Sequence, residues 1–330
     1  MTTRRQFVHH LSHAAMLGAL GAPLAGRAQT PAMVRLVSGF PPGGTADALA
    51  RRVADKLRGG YAAQGAYVEN KPGAGGRIAI DNVRLAADDG SVLLVTPHSM
   101  LSIYPHTYPK LSYRPFDDLA PVSLAATFSL ALAVGPGVPA SVRDLKDFIG
   151  WCKANPQAAS YGSPAAGSIP HFMGVLLEKA SGVEMRHIPY RGSVPGVQDM
   201  LGGQIPAMMT PLGDCLPHLK SGRARVLATS SPTRSRFTPD CATFAEQGYP
   251  AIRFGEWYAF FAPARTPRAT MDAAAAAIGQ ALRQRDVIDS LATFGLEAGG
   301  SSPAELGKML RTEYERWGPI VKQIGFTAES

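Results

Sequence analysis

An α/β fold of two lobes, each with a mostly parallel sheet flanked by helices, is what this sequence predicts, and three observations predict it. Short apolar strand patterns alternate with amphipathic helical patterns along the chain. Glycine-rich and proline-rich turns sit between a strand and the helix that follows it. The 330 residues, 45% of them hydrophobic, also exceed what one compact core needs.

The first element is not part of that fold. Residues 1–28 read as an export signal: Arg4 and Arg5 supply charge, 11–24 supply a small-residue apolar run too short to span a bilayer, and Gly26-Arg27-Ala28 offers cleavage near Ala28. Thr3-Arg4-Arg5-Gln6-Phe7 also fits the twin-arginine form, so both export routes stay open. His9, His10 and His13 fall inside this segment and are not metal ligands of a mature chain. Its removal takes away three arginines and no acid, so the formal charge of +8 becomes +5. That balance favours anionic small molecules, and without Lys/Arg blocks interleaved with aromatics it argues against nucleic acid. No later segment reaches eighteen uninterrupted apolar residues. Cys152, Cys215 and Cys241 permit at most one disulfide, and their spacing lacks any zinc pattern.

The mature chain opens with a strand at 34–38, a turn at 39–45 and a helix at 46–57. A strand at 92–96 follows, then a long apolar stretch at 122–134 and helices at 142–154 and 169–181. Beyond them come a helix at 194–201, strands at 207–210, 226–229 and 257–261, and long helices at 268–285 and 303–323. The stretches at 122–134 and 257–261 are where the chain is expected to cross between lobes. The expected division is therefore 29–128 plus 255–330 for lobe one and 129–254 for lobe two, with a hinge in two adjacent strands.

Gly39-Phe40-Pro41-Pro42-Gly43-Gly44-Thr45 lies between strand and helix, where an anion meets free backbone N–H groups and the positive end of the helix. Thr45 stands where a P-loop needs its lysine, so nucleotide binding is disfavoured. Asp47 reads as a cap or dipole partner. Lys71-Pro72-Gly73-Ala74-Gly75-Gly76 lacks the dinucleotide spacing and reads as a turn. The segment from Tyr161 to His171 again puts small and hydroxyl residues ahead of a helix: Ser168 is placed to cap it, and His171 either donates a hydrogen bond to a ligand or simply packs. Pro189-Tyr190-Arg191-Gly192-Ser193 precedes a third helix start. There is no Gly-x-Ser-x-Gly elbow and no His-Glu-x-x-His, and a triad built from Ser163, His171 and a distant carboxylate is the one enzyme reading left.

In this order the motifs resemble those of the tripartite tricarboxylate transporter receptor family, the periplasmic Bug-type solute-binding proteins. The resemblance is carried by Phe40-Pro41-Pro42-Gly43-Gly44 with Asp47 and Ala50-Arg51, then Val68-Glu69-Asn70-Lys71-Pro72-Gly73-Ala74-Gly75-Gly76. It continues through Leu119-Ala120-Pro121-Val122-Ser123, the Tyr161 to His171 segment, Pro189-Tyr190-Arg191-Gly192-Ser193 and Leu201-Gly202-Gly203-Gln204.

The resemblance implies a type II periplasmic-binding-protein fold with a ligand cleft between two lobes, and a carboxylate gripped by main-chain N–H groups and bridging waters. It places Phe40, Gly43, Gly44 and Thr45 at the ligand from lobe one, with Thr96 and Ser99 at the mouth of the next strand. From lobe two it places Ser163, Ala166, Gly167, Ser168 and His171, with Tyr190 and Gly192 on the adjoining loop. Two departures from the family pattern concern the far end of the ligand. Thr210 stands where relatives carry an Asp that can pair with an amino group, which disfavours an amino-acid ligand, and Ala166 replaces a common Asn. The implied protein is a monomeric, non-enzymatic periplasmic carrier without cofactor or metal, which closes on a small organic acid and delivers it to the membrane permease of a tripartite tricarboxylate-type transporter. The alternatives are a sensor subunit that hands its closed form to a signalling receptor, and a secreted hydrolase using the same cleft.

Overall fold

One long strand runs through both halves of the molecule. In the computed structural model, which describes residues 31–328, β4 (Leu119–Val134) runs for 16 residues, about 50 Å of extended chain. Its sequence is almost wholly apolar and nearly all of it is buried, as expected of a strand covered on both faces. Residues Leu119 to Ser129 pair antiparallel with β9 (Gly255–Pro263). Residues Leu130 to Val134 pair instead with β7 (Ala207–Pro211) and β8 (Arg225–Thr229). Pro121 cannot donate to a ladder, and the register with β9 shifts between Pro121 and Ser123. The export-signal reading of 1–28 lies outside the described residues.

Parallel strands build outward from this antiparallel centre. In the first half, β1 (Met33–Ser38) pairs parallel with both β2 (Gly65–Asn70) and β3 (Val92–Pro97), and β3 pairs antiparallel with β9. In the second half, β5 (Ser160–Ser163) pairs parallel with β6 (Arg186–Pro189) and with β7. A short β10 (Leu296–Ala298) pairs antiparallel with β4. The parallel pairing read from the alternation is thus found in the outer strands. β9 itself stays in the first half, and the return passage lies just before it: Ser230 donates to the Leu130 carbonyl and Phe254 to that of Ser230.

Eight helices of two turns or more cover these sheets among the described residues: α1 (Thr45–Ala54), α2 (Arg77–Arg84), α3 (Leu145–Ala154), α4 (Ile169–Ser181), α5 (Ser193–Leu201), α6 (Arg268–Leu282), α7 (Arg285–Ala292) and α8 (Pro303–Ile324). α1 buries Leu49, Ala50 and Val53 on one face, the spacing of a helix lying on a sheet. α8 starts on a capping box in which Ser302 and Glu305 satisfy each other's backbone N–H groups. The helix expected over 268–285 is α6, which ends at Leu282; after the extended Gln284 the chain starts a further helix, α7, that was not read from the sequence. β2, α2, β10, β5 and β6 were not read from the sequence. The last two are four residues each, too short and too polar to show a period. All three cysteines are free thiols. No helix among the described residues is long and apolar enough to cross a membrane.

Candidate functional site

Three helix N-termini point into one cavity. α1 begins after Gly44, α4 after Ser168 and α5 after Gly192. Gly44, Thr45, Ser168 and Ser193 all line the cavity between the two halves. The remaining wall is largely apolar, with Phe40, Met100 and Phe128 prominent, and it contains no lysine or arginine. The first N–H groups of a helix have no partner within it. Three such termini converging offer an anion several backbone donors and three positive helix ends, without a cationic side chain.

The loop that opens α1 is held by residues behind it. Asp47 Oδ2 accepts from the Gly43 N–H at 3.1 Å and from Arg51 Nε at 2.9 Å. Its Oδ1 accepts from Asn70, whose amide also donates to the Phe40 carbonyl, both at 3.0 Å. Burial works against ionisation of Asp47, but the bonds from Arg51, Gly43 and Asn70 together hold its carboxyl below the ordinary value. The carboxylate is used up in shaping the loop from the first turn of α1; it makes no cap bond at Gly44, so of the two roles expected of it the position beside the helix dipole is the one found.

The cleft is closed. At Gly192, with φ +100°, an added Cβ would lie 2.4 Å from Pro41 Cδ, and at Gly213 it would lie 1.7 Å from the Phe294 carbonyl oxygen. Only glycine lets the backbones meet this closely. The Asp214 carboxylate reaches over to accept the Thr45 N–H at 3.0 Å, and Thr45 Oγ1 bonds Tyr258 Oη at 2.9 Å.

Of the residues expected at the ligand, Phe40, Gly44, Thr45 and Ser168 line this cavity. Gly43 shapes the loop just outside it, and Gly192 seals the rim against Pro41. The others stand behind the wall. Thr96 is buried and its hydroxyl donates to the Pro97 carbonyl. The Ala166 carbonyl accepts from Tyr108, the Gly167 N–H donates to His171 Nδ1 at 3.0 Å, and Tyr190 Oη donates to Asp199. His171 is buried and stacked on His187 with ring centroids 3.9 Å apart. Burial and the neighbouring His187 push it down to about 3, so the ring is neutral and accepts a backbone bond. Ser163 sits 2.8 Å from Nε2 of His187, not of His171, and its hydroxyl reaches the Ala165 carbonyl. No carboxylate bonds His187 among the described residues. Thr210 is fully buried in β7 and its hydroxyl has no partner.

Glu256 was missed. It lines the cavity, is 4% exposed, and is the one carboxylic acid of that wall among the described residues. Its Oε1 accepts both the N–H of Ser99, at 3.3 Å, and the Ser99 hydroxyl. Ser99, expected to hold a ligand, therefore holds an internal carboxylate. Burial pushes Glu256 up to about 7 despite those bonds. Glu256 also borders a hollow on the outer side of the sheet, where Arg316 pairs with Glu313 at 3.5 Å. The signal was present: an acid inside the apolar strand Gly255–Pro263 has to be buried for a reason.

Comparison with known proteins gives consistent results. Residues 49–326 match the family model described as tripartite tricarboxylate transporter family receptor. Protein BugT of Bordetella pertussis is 31% identical over 307 residues, 93% of either chain. Among solved structures, Rpa4515 of R. palustris with adipate is 28% identical with a TM-score of 0.84, covering 89% of this chain and 98% of that one. MatC (Rpa3494) from Rhodopseudomonas palustris with bound malate is 28% identical with a TM-score of 0.79, covering 88% and 98%.

Proposed function

The chain belongs to the tripartite tricarboxylate transporter receptor family, and on that premise we propose that it captures a small carboxylate-bearing metabolite by cleft closure. One observation carries the reading: three helix N-termini converge on a single cavity whose wall has no basic side chain. A carboxylate there takes its charge-assisted hydrogen bonds from the backbone, each contributing about 1.5–3 kcal/mol. Three or four, with apolar packing against Phe40 and Phe128, suit micromolar binding at about −8 kcal/mol.

In the proposed cycle the lobes are 29–128 plus 255–330 and 129–254. The switch of β4 from β9 to β7 and β8 at Ser129 and Leu130 supports the first boundary, and the Ser230 to Phe254 bond supports the second. Opening about this hinge breaks the Thr45 to Asp214 bond and frees the donors of α1. The ligand carboxylate takes them up, and closure brings α4 and α5 onto it. A monomer loaded in this way, exported to the periplasm, would deliver the acid to a permease of the tripartite type. Solved relatives with adipate and malate bound support an organic acid as cargo.

The test is a thermal-shift panel of carboxylic acids, amino acids, sugars and nucleotides on the purified mature protein. A ligand at a hundredfold its Kd stabilises by about 2.7 kcal/mol, a shift of several degrees. Carboxylates should shift the melt. A panel in which only sugars or nucleotides do so defeats the reading.

A further inference from the structure

The cavity that would receive an anion has a carboxylate in its wall. Glu256 is 4% exposed, no ion pair of its side chain exists among the described residues, and the nearby Arg316 is engaged by Glu313. Its Oε1 is satisfied by Ser99, while no protein donor reaches its Oε2 among the described residues. A buried acid of this kind is costly unless something bonds it. Thr210, which stands at the family's acidic position, is buried in β7 and is not part of the cavity wall. The acid of this cavity comes from β9 instead.

We infer that Glu256 sets the specificity of the cleft, accepting a hydrogen bond from an N–H or O–H group at the far end of the ligand and rejecting a second carboxylate. The inference rests on the carboxylate reading above and narrows it to an amino, amide or hydroxy acid that carries one carboxylate. The helix N-termini of α1, α4 and α5 take that carboxylate, and Glu256 takes the donor. Above neutral pH, where Glu256 is mostly ionised despite its burial, a dicarboxylate of equal length would bring two anions together in a space without a cation, and discrimination of this kind through an unpaired buried group is steep. The acids are therefore to be compared at about pH 8.

The experiment compares γ-aminobutyrate, γ-hydroxybutyrate, butyrate and succinate, with their shorter and longer homologues, by calorimetry on the mature wild-type protein, Glu256→Gln and Ser99→Ala. Circular dichroism confirms that each variant is folded. The donor-bearing acids should bind wild type at least about tenfold tighter than the dicarboxylates. Glu256→Gln should erase most of that ratio, chiefly by admitting the dicarboxylate. Ser99→Ala, which keeps the acid and removes one of its internal donors, should preserve the ratio. The amino and hydroxy arms show which donor is preferred. If acids bind with a ratio near one, or if succinate binds best and loses affinity in Glu256→Gln, the inference is overturned while the carboxylate reading stands. If no acid of any class binds, both fall.

Discussion

The carboxylate of Asp214 accepts a hydrogen bond from the backbone N–H of Thr45 at 3.0 Å, joining residues 169 positions apart across the closed cleft. Its other oxygen is buried without a close partner among the described residues, and burial pushes the group up to about 6 although the Ser193 hydroxyl and the Thr45 N–H favour the charged form. An acid raised in the folded state holds its proton there while the unfolded chain has lost it, so stability falls as pH rises from the ordinary value of 3.8 through 6. Asp214→Asn should therefore stabilise the protein by about 2 kcal/mol near neutral pH and raise its melting temperature. The gain should shrink as pH falls below 6 and vanish only below about 3.8, where the unfolded chain also holds the proton. Equal melts of variant and wild type at both pH values would show that the bond carries no charge cost.

The histidine pair behaves in the opposite sense. His171 and His187 are pushed by burial down to about 3 and about 4. Below their ordinary value of 6.5 the unfolded chain binds protons that the native state refuses, so stability is lost as pH falls from there. At about pH 5 each ring costs about 2 kcal/mol. His171→Phe should lose about 1 kcal/mol near neutral pH, because the Gly167 N–H loses its acceptor. It should also show a shallower decline toward pH 5. Urea titrations at the two pH values decide this, and parallel declines would mean that His171 is not held neutral. Because the acids and the histidines titrate in overlapping ranges with opposite sign, the wild-type profile alone hides both.

Gly192 separates backbone strain from closure. Its φ of +100° with ψ of 172° is a conformation essentially restricted to glycine. Gly192→Ala should cost about 1–3 kcal/mol of stability and should weaken ligand binding at least about tenfold through the contact with Pro41. Adding Pro41→Ala removes the atoms that clash in the closed form. The double variant should recover affinity but not stability, measured by calorimetry and thermal melts. Recovery of both would place the whole effect in the contact.

What the sequence determined by itself was what short range can encode. The turn chemistry of 39–45, the helix starts after Gly44, Ser168 and Gly192, and the long apolar run that became β4 are local patterns, readable because strand and helix periods and glycine turns act within a few residues. The family motifs supplied the cleft, and the family model matched over residues 49–326 bears out the resemblance they carried. Which groups the cleft brings together was decided only by the tertiary structure. Asp214 meets Thr45 and Glu256 meets Ser99 over separations of 169 and 157 residues, and His171 turns from the ligand side to Gly167 and His187. The physical reason is that a carboxylate has the same local signature on a surface or in a wall. Only the packing of β9 against β3 and β4 buries Glu256, and only closure of the two halves sets Asp214 on the end of α1.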